Sequence, residues 1–408
     1  MSTELSNESI YSDLRVLDLA GEMGAYCGKL LADLGAEVIK VERPGGDATR
    51  RIGPFVGDDP HPEKSLYWFQ FNTSKKSVTL DIATADGKDI FRKLAATSDI
   101  IIETFSPGYM DSLGLGYEEL SKDNPGLIMT SITPFGQTGP YRDYKASDIV
   151  GLAMGGQLYL AGMPGEPPLQ AGASQAYYQA NLHAAVGTLI AVHFRDGSGL
   201  GQYIDLSMQE AITLSMETAM QYWDMNRHLR KRTGHDHRSP GHGVYPCQDG
   251  FVCLMASAGA GKGWAPMVSW MNEEGQGQEL AGSEWLDRYY RIDHLDEGDA
   301  YIMPWLLDHT VQDAVDGLQA RHCIAMPVNT PKDLLESPQL RSRDFYVQVA
   351  HPELSAEYEY PGAPYRFNHI EWRISHRAPL IGEHNQEIFE GLGLTGQDLI
   401  ALRGAGVI

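Results

Sequence analysis

Basic residues are scarce in this chain of 408: Lys and Arg total 32 against 54 Asp and Glu, a net charge of −22. A surface so acidic repels phosphate backbones and anionic lipid, which sets nucleic acid and membrane surfaces aside as partners. Long apolar runs are missing too; none approaches the roughly 20 residues that span a bilayer. The opening stretch MSTELSNESIYSDLR lacks the basic start and apolar core of a secretory signal. Cysteine is rare, and Cys27, Cys247, Cys253 and Cys323 include no CxxC pair. Neither a zinc site nor a disulfide framework is indicated, and a reduced, cytoplasmic protein is expected.

What is present reads as an α/β protein. With 42% hydrophobic and 21% charged residues the composition is that of a folded globular chain, long enough for two domains. Arg15–Ala20 reads as a short strand, Gly24–Leu34 as a helix stopped by Gly35, and Glu37–Glu42 as a second strand. Strand, helix and strand within about 30 residues make a βαβ unit with a parallel pair. The pattern recurs in Asp86–Ala96 (helix), Asp99–Glu103 (strand) and Leu127–Ile132 (strand), so a doubly wound sheet is expected. A glycine-rich turn over 196–201, a strand over 202–206 and one helix over 207–225 come next. The expected organisation is a large domain over 1–225, a linker over 226–243, a small domain over 244–325, and a return to the large domain over 326–408. Two short helices, Glu387–Leu392 and Gln397–Arg403, close the chain.

Three motif tests fail. The first βα turn, Gly21-Glu22-Met23-Gly24, lacks the GxGxxG spacing that brings backbone against a pyrophosphate, which disfavours a nicotinamide dehydrogenase. Gly259-Ala260-Gly261-Lys262-Gly263 resembles a Walker loop, but Ala256 takes the first glycine position and Gly263 the position of the Mg²⁺-binding hydroxyl. A flexible loop over a ligand and a plain surface turn both remain open for it. His235, His237 and His242 cluster among basic residues, and a polar linker accounts for them better than a metal site does.

Several strings together resemble one family over nearly the whole chain. They include 31–42 (LADLGAEVIKVE), Pro44-Gly45-Gly46-Asp47, 134–140 (PFGQTGP), Gly201-Gln202-Tyr203-Ile204-Asp205, 377–384 (RAPLIGEH) and 402–407 (LRGAGV). They are similar to the signature of class III CoA-transferases, a family that includes formyl-CoA transferase, carnitine CoA-transferase and α-methylacyl-CoA racemase. The resemblance implies a Rossmann-like large domain plus a smaller α/β domain, in an interlocked-ring dimer. It also implies a coenzyme A thioester as substrate, a small carboxylic acid as its counterpart, and no permanently bound cofactor or metal. The family chemistry uses an Asp carboxylate that attacks the thioester and carries the acyl group as an anhydride and then CoA as a thioester.

The chain departs from the family at that carboxylate. A gapless match places Tyr177 at the Asp position, a shift of two residues places Gln175 there, and no Asp or Glu occurs between Glu166 and Asp196. Neither side chain can form a mixed anhydride. For the CoA site the resemblance points to Arg43 and Lys145; both read equally well as solvated surface charges. Thr104 stands where the family usually carries Asn, Ser112 where it carries a phosphate-binding Arg, and Ser147 in place of an aromatic residue. A lost guanidinium removes a charge-assisted, bidentate phosphate contact. The racemase branch needs a His at Ser147, so α-proton exchange has no evident base. His183, flanked by apolar residues, reads as a core histidine.

The expectation is a non-nucleophilic subunit of a heteromeric class III CoA-transferase, whose homologous partner chain supplies the catalytic Asp. Two alternatives stand beside it. One is a stand-alone CoA-thioester isomerase or lyase using Tyr177 or His183, and the other is a non-catalytic binding or regulatory homologue.

Overall fold

The computed structural model describes residues 9–234, 239–256 and 263–408. His235, His237 and Arg238 of the linker, and Gly259 to Lys262 of the glycine loop, lie outside the described residues. Two compact units are formed: unit 1 comprises Met1–Tyr159, Gln170–Arg230 and Arg343–Ile408, and unit 2 comprises Leu160–Leu169 and Lys231–Ser342. The second unit therefore extends beyond 244–325 at both ends.

Unit 1 is built on six parallel strands: β1 (Arg15–Asp18), β2 (Glu37–Glu42), β3 (Lys75–Thr79), β4 (Ile100–Glu103), β5 (Ile128–Thr133) and β6 (Tyr203–Ser207). Their order is β3-β2-β1-β4-β5-β6, and every neighbouring pair is parallel. This is the doubly wound Rossmann order, with its direction reversing between β1 and β4, where such sheets open a crevice at the strand C-termini. Strands covered on both faces read as continuous apolar runs, and Val16, Leu17, Ile100, Ile101 and Ile102 are all fully buried.

Four helices of unit 1 position the site. Helix α1 (Ala25–Asp33) follows β1, and α2 (Ala85–Ala96) is capped by the Thr84 hydroxyl, which accepts from Gly87 N. Helix α3 (Asp148–Met154) is short, and α4 (Gln175–Ser198) spans 24 residues. Helix α4 continues through Asp196-Gly197-Ser198, where a turn was expected, and stops at Gly199, whose φ of 76° suits glycine. The single helix expected over 207–225 is two, Met208–Leu214 and Ala219–Asn226. Glu217 between them is left-handed, with φ of 52°, which an uninterrupted helix cannot accommodate.

The tail closes the β3 edge of unit 1. Asn385 Oδ1 accepts from Thr79 N at 2.8 Å, and Trp68 Nε1 donates to the Pro379 carbonyl at 3.0 Å. Val407 O accepts from Asp81 N at 2.7 Å, so the two terminal signature strings are docking segments. Unit 2 holds an antiparallel sheet ordered β7 (His242–Pro246), β8 (Phe251–Met255), β9 (Ala325–Pro327). Its core is aromatic: Trp264, Trp270, Trp285 and Trp305 are buried, with Trp264 stacked on Trp285 at 5.9 Å.

Asp18 at the end of β1 is fully buried and meets Lys75 Nζ at 2.7 Å and Lys40 Nζ at 3.6 Å. Asp18→Asn leaves the buried Lys75 ammonium without a carboxylate and Lys40 with Asp47 as its ion-pair partner at 3.6 Å, so a loss of about 3–5 kcal/mol in unfolding free energy is expected, read by urea denaturation.

Candidate functional site

The site begins at the reversal of strand order. The loop leaving β1 carries Gly21-Glu22-Met23-Gly24, and the loop leaving β4 carries Thr104. The Thr104 hydroxyl accepts from Gly21 N at 2.9 Å, which pins the two loops together. A Cβ on Gly24 would lie 2.6 Å from Thr104 Cγ2 and 2.7 Å from Ala20 Cβ, so this close approach requires glycine. The Thr104 hydroxyl is thus committed to a structural bond.

Beside these loops is a cleft of about 240 Å³ over the strand C-termini, lined among others by Leu19, Val41, Arg43, Phe105 and Tyr109. Arg43 is exposed at the cleft. Lys145 is exposed in the segment entering α3 and is not among the lining residues. Ser112 is exposed and its hydroxyl donates to the Tyr109 carbonyl at 2.7 Å. Ser147 is exposed at the N-cap of α3 and makes no side-chain cap bond there.

Tyr177 occupies the third residue of α4, and the fold holds it firmly. The buried Asn181 amide donates to Met23 O at 2.7 Å and to Tyr177 O at 2.6 Å, while its Oδ1 accepts from Cys27 N at 2.8 Å. These bonds lash α4 to the start of α1. Asp148, 7% exposed, caps α4 from α3: its Oδ1 accepts from Ala176 N at 2.8 Å and Tyr177 N at 3.1 Å. A carboxylate at a helix N-terminus satisfies orphan amides and meets the positive end of the dipole.

Carboxylates are therefore present near Tyr177, although its own stretch of sequence has none. Glu22 and Asp148 both act on the phenol electrostatically; burial first, then these two charges, push its pKa up to about 12. The Glu22 carboxyl is itself raised, by burial and by Asp148. Sequence reasoning missed both groups because they come from other elements. Around them lies an aromatic wall: Tyr178 meets Tyr26 at 5.1 Å, Tyr67 meets Phe71 at 4.5 Å, and Tyr67 Oη donates to Glu22 O at 3.2 Å.

A phenol so raised stays protonated at neutral pH. It can donate a hydrogen bond, but it serves poorly as a base or nucleophile. Gln175 turns away, donating from Nε2 to Gly172 O at 2.9 Å. His183 is not the core histidine expected: it is exposed on α4, beside exposed Leu182 and Val186. Its apolar neighbours belong to a surface stripe rather than to the core. Among the described residues no group of three or more His, Cys, Asp or Glu could hold a metal ion.

With this geometry in place, the chain can be set against known proteins. The family model described as CoA-transferase family III matches residues 11–385. The chain is 37% identical to succinyl-CoA:(R)-benzylsuccinate CoA-transferase subunit BbsE of Thauera aromatica over 405 residues, 98% of each chain. It is 32% identical to the beta subunit of succinyl-CoA–L-malate CoA-transferase of Chloroflexus aurantiacus, over 97% of each chain. Among solved structures, a CAIB/BAIF family protein from Brucella suis superposes with a TM-score of 0.86 at 28% identity, covering 95% of this chain and 100% of that one.

Tyr177 gives a measurable signature. Between pH 10 and about 12 the unfolded phenol is ionised while the folded one keeps its proton, so stability falls as pH rises through that window. Tyr177→Phe removes this contribution. The variant is expected to lose less unfolding free energy between pH 10 and 12 than the parent, read by urea titration at each pH.

Proposed function

The chain belongs to CoA-transferase family III, and from that premise we propose that it is the non-nucleophilic subunit of a heteromeric CoA-transferase, with the catalytic Asp supplied by a homologous partner chain. The observation that supports the reading is Tyr177, which the family resemblance matches to the acyl-carrying Asp and which Asn181 and Asp148 hold with its proton retained. The relatives named as subunits support an assembly of unlike chains. So does the surface of α4, where Leu182, Val186, Ile190 and Phe194 repeat every four residues at 48–64% exposure; such a stripe calls for a protein cover.

In this reading CoA thioesters are the substrates, with succinyl-CoA as CoA donor, released as succinate, and a small carboxylic acid as CoA acceptor. We take (R)-benzylsuccinate as the acceptor, by similarity to the Thauera subunit, which would place the reaction in anaerobic toluene degradation. Arg43 at the cleft is assigned to a CoA phosphate, with Lys145 as a second cation. Tyr177 would donate a hydrogen bond at the silent site rather than take part in acyl transfer. A cytoplasmic location goes with four cysteines that are all free.

A second reading has one observation in its favour. Glu22 is a carboxylate within electrostatic reach of Tyr177, so this chain could carry an acyl group on Glu22 by itself. The two readings part in one experiment: incubate the chain alone, and then with a homologous partner carrying the Asp, with acyl-CoA and hydroxylamine, and locate the hydroxamate by mass spectrometry. The expected label lies on the partner only, with transfer by the lone chain at least about a thousandfold below that of the pair. Label on Glu22, or full activity from a homodimer of this chain, overturns the proposal. Arg43→Ala is expected to weaken acyl-CoA binding by this chain about tenfold, read by titration calorimetry, and to leave kcat of the pair unchanged, as loss of one charge-assisted bond would.

A further inference from the structure

A second cavity in unit 1, of about 330 Å³, opens beside β4, β5 and β6, and nothing in the transferase reading uses it. Its inner end is built from buried polar groups. Glu103, 4% exposed, ends β4; its Oε2 accepts from Phe105 N at 2.7 Å. Ser131, 1% exposed, lies on β5 beside it, and its hydroxyl has no hydrogen-bond partner of normal geometry, though it is close enough to ease the ionisation of both Glu103 and Tyr203. A buried hydroxyl left without a partner in a roomy polar cavity is an incomplete arrangement. Burial pushes Glu103 up to about 7 against the easing by Ser131 and the Phe105 amide, and Asp111 adds to the rise.

The outer end carries charge of both signs. Asp111 and Glu118, on the chain between β4 and β5, are exposed lining residues. Across from them is Arg142, whose ion pair is a long one of 3.8 Å to its own neighbour Asp143, and whose Nε is buried without a partner. Arg142 is positioned by the loop leaving β5, the 134–140 string of the sequence. That loop is staked down by Asp205, both of whose carboxylate oxygens accept from Gln137 N at 3.0 Å. Tyr117 and Tyr203 pair at 5.8 Å along the wall, and electron-rich ring faces attract cations. Three carboxylates face one guanidinium here, so the cavity has an excess of negative charge with one fixed positive group at its edge.

We propose that this cavity binds a small compound of the amino-acid class, its ammonium group seated on Glu103 and Ser131 and its carboxylate on Arg142. An ammonium deep in the cavity partners the idle Ser131 hydroxyl and lets Glu103 ionise. The carboxylate completes Arg142, and the tyrosine rings flank the chain between the two charges.

Titration calorimetry on the full chain at pH 7 separates the groups, with β-alanine, propylamine and propionate as probes. β-Alanine is expected to bind below about 1 mM, propylamine roughly tenfold more weakly, and propionate more weakly still. Binding is also expected to release protons, seen as a heat that scales with the ionisation enthalpy of the buffer, because the arriving ammonium drives Glu103 to its carboxylate. Glu103→Gln should abolish that proton release and weaken β-alanine at least about tenfold, and Arg142→Gln should weaken β-alanine but not propylamine. Proton release by the parent chain needs no variant to fold. Propionate binding as tightly as β-alanine, β-alanine binding without proton release, or no heat from any of the three at about 10 mM overturns the proposal.

Discussion

The first three strands are joined by buried charge. Asp18 meets Lys75 Nζ at 2.7 Å and Lys40 Nζ at 3.6 Å, and all three side chains are almost wholly buried. Lys75 also donates to Ala25 O and to Asn72 Oδ1, each at 3.0 Å. Helix α1 sits hard against the pair: a Cβ on Gly28 would lie 2.3 Å from Asp18 Oδ2. Burial works against the charge on both lysines, yet the two respond differently. Asp18, Asp47 and Glu42 hold the Lys40 ammonium above its usual range, whereas Lys75, with Lys40 and Lys29 opposing it, is lowered. Such pairs give little net stability for their desolvation cost, but they tolerate no slip of register. Through them the end of β1, the middle of β2, the start of β3 and the start of α1 become one rigid corner, and the loop carrying Glu22 hangs from it.

That corner fixes where the third residue of α4 lies. Asn181 ties α4 to the backbone of Met23 and Cys27, so the third residue of α4 is held against the β1–α1 loop whatever its side chain. A carboxylate there would gain from the helix N-terminus. In this chain the N-terminal amides are instead satisfied from outside by Asp148, and a phenol fills the position. In the proposed role the scaffold for acyl transfer is kept while the acyl carrier is supplied by the partner chain. Two negative charges close to a half-buried phenol hold its proton in place, which leaves Tyr177 the part of a donor.

Much of the large unit was legible because parallel strands covered on both faces write themselves as unbroken apolar runs, as in Val16–Leu17 and Ile100–Ile102. The strand Lys75–Thr79 escaped that logic. Its two lysines look like surface charge, and only tertiary pairing, of Lys75 with Asp18 and of Lys76 with Glu37 and Glu387, lets them sit in a sheet. The break at Glu217 left no Gly or Pro to mark it. At the site, the sequence showed that no Asp or Glu lies between Glu166 and Asp196. The acids that gather near Tyr177 were not visible in it, since Glu22 and Asp148 arrive by the folding of β1–α1 and α3 around α4. Glu103 and Ser131 were hidden for the same reason: each belongs to a different strand.

Helix α4 links the chemistry to assembly. One face is nearly all alanine, with Ala176, Ala180 and Ala184 fully buried, which lets the helix lie close against the sheet. The other presents Leu182, Val186, Ile190 and Phe194 to solvent. A helix apolar on both sides suits an element buried all round, and unit 1 supplies cover for only one side. In the proposed pair the second cover comes from the partner chain. Under the proposal, the helix that bears Tyr177 in place of an acyl carrier is also the one that meets the partner, so both needs are met by the same contact.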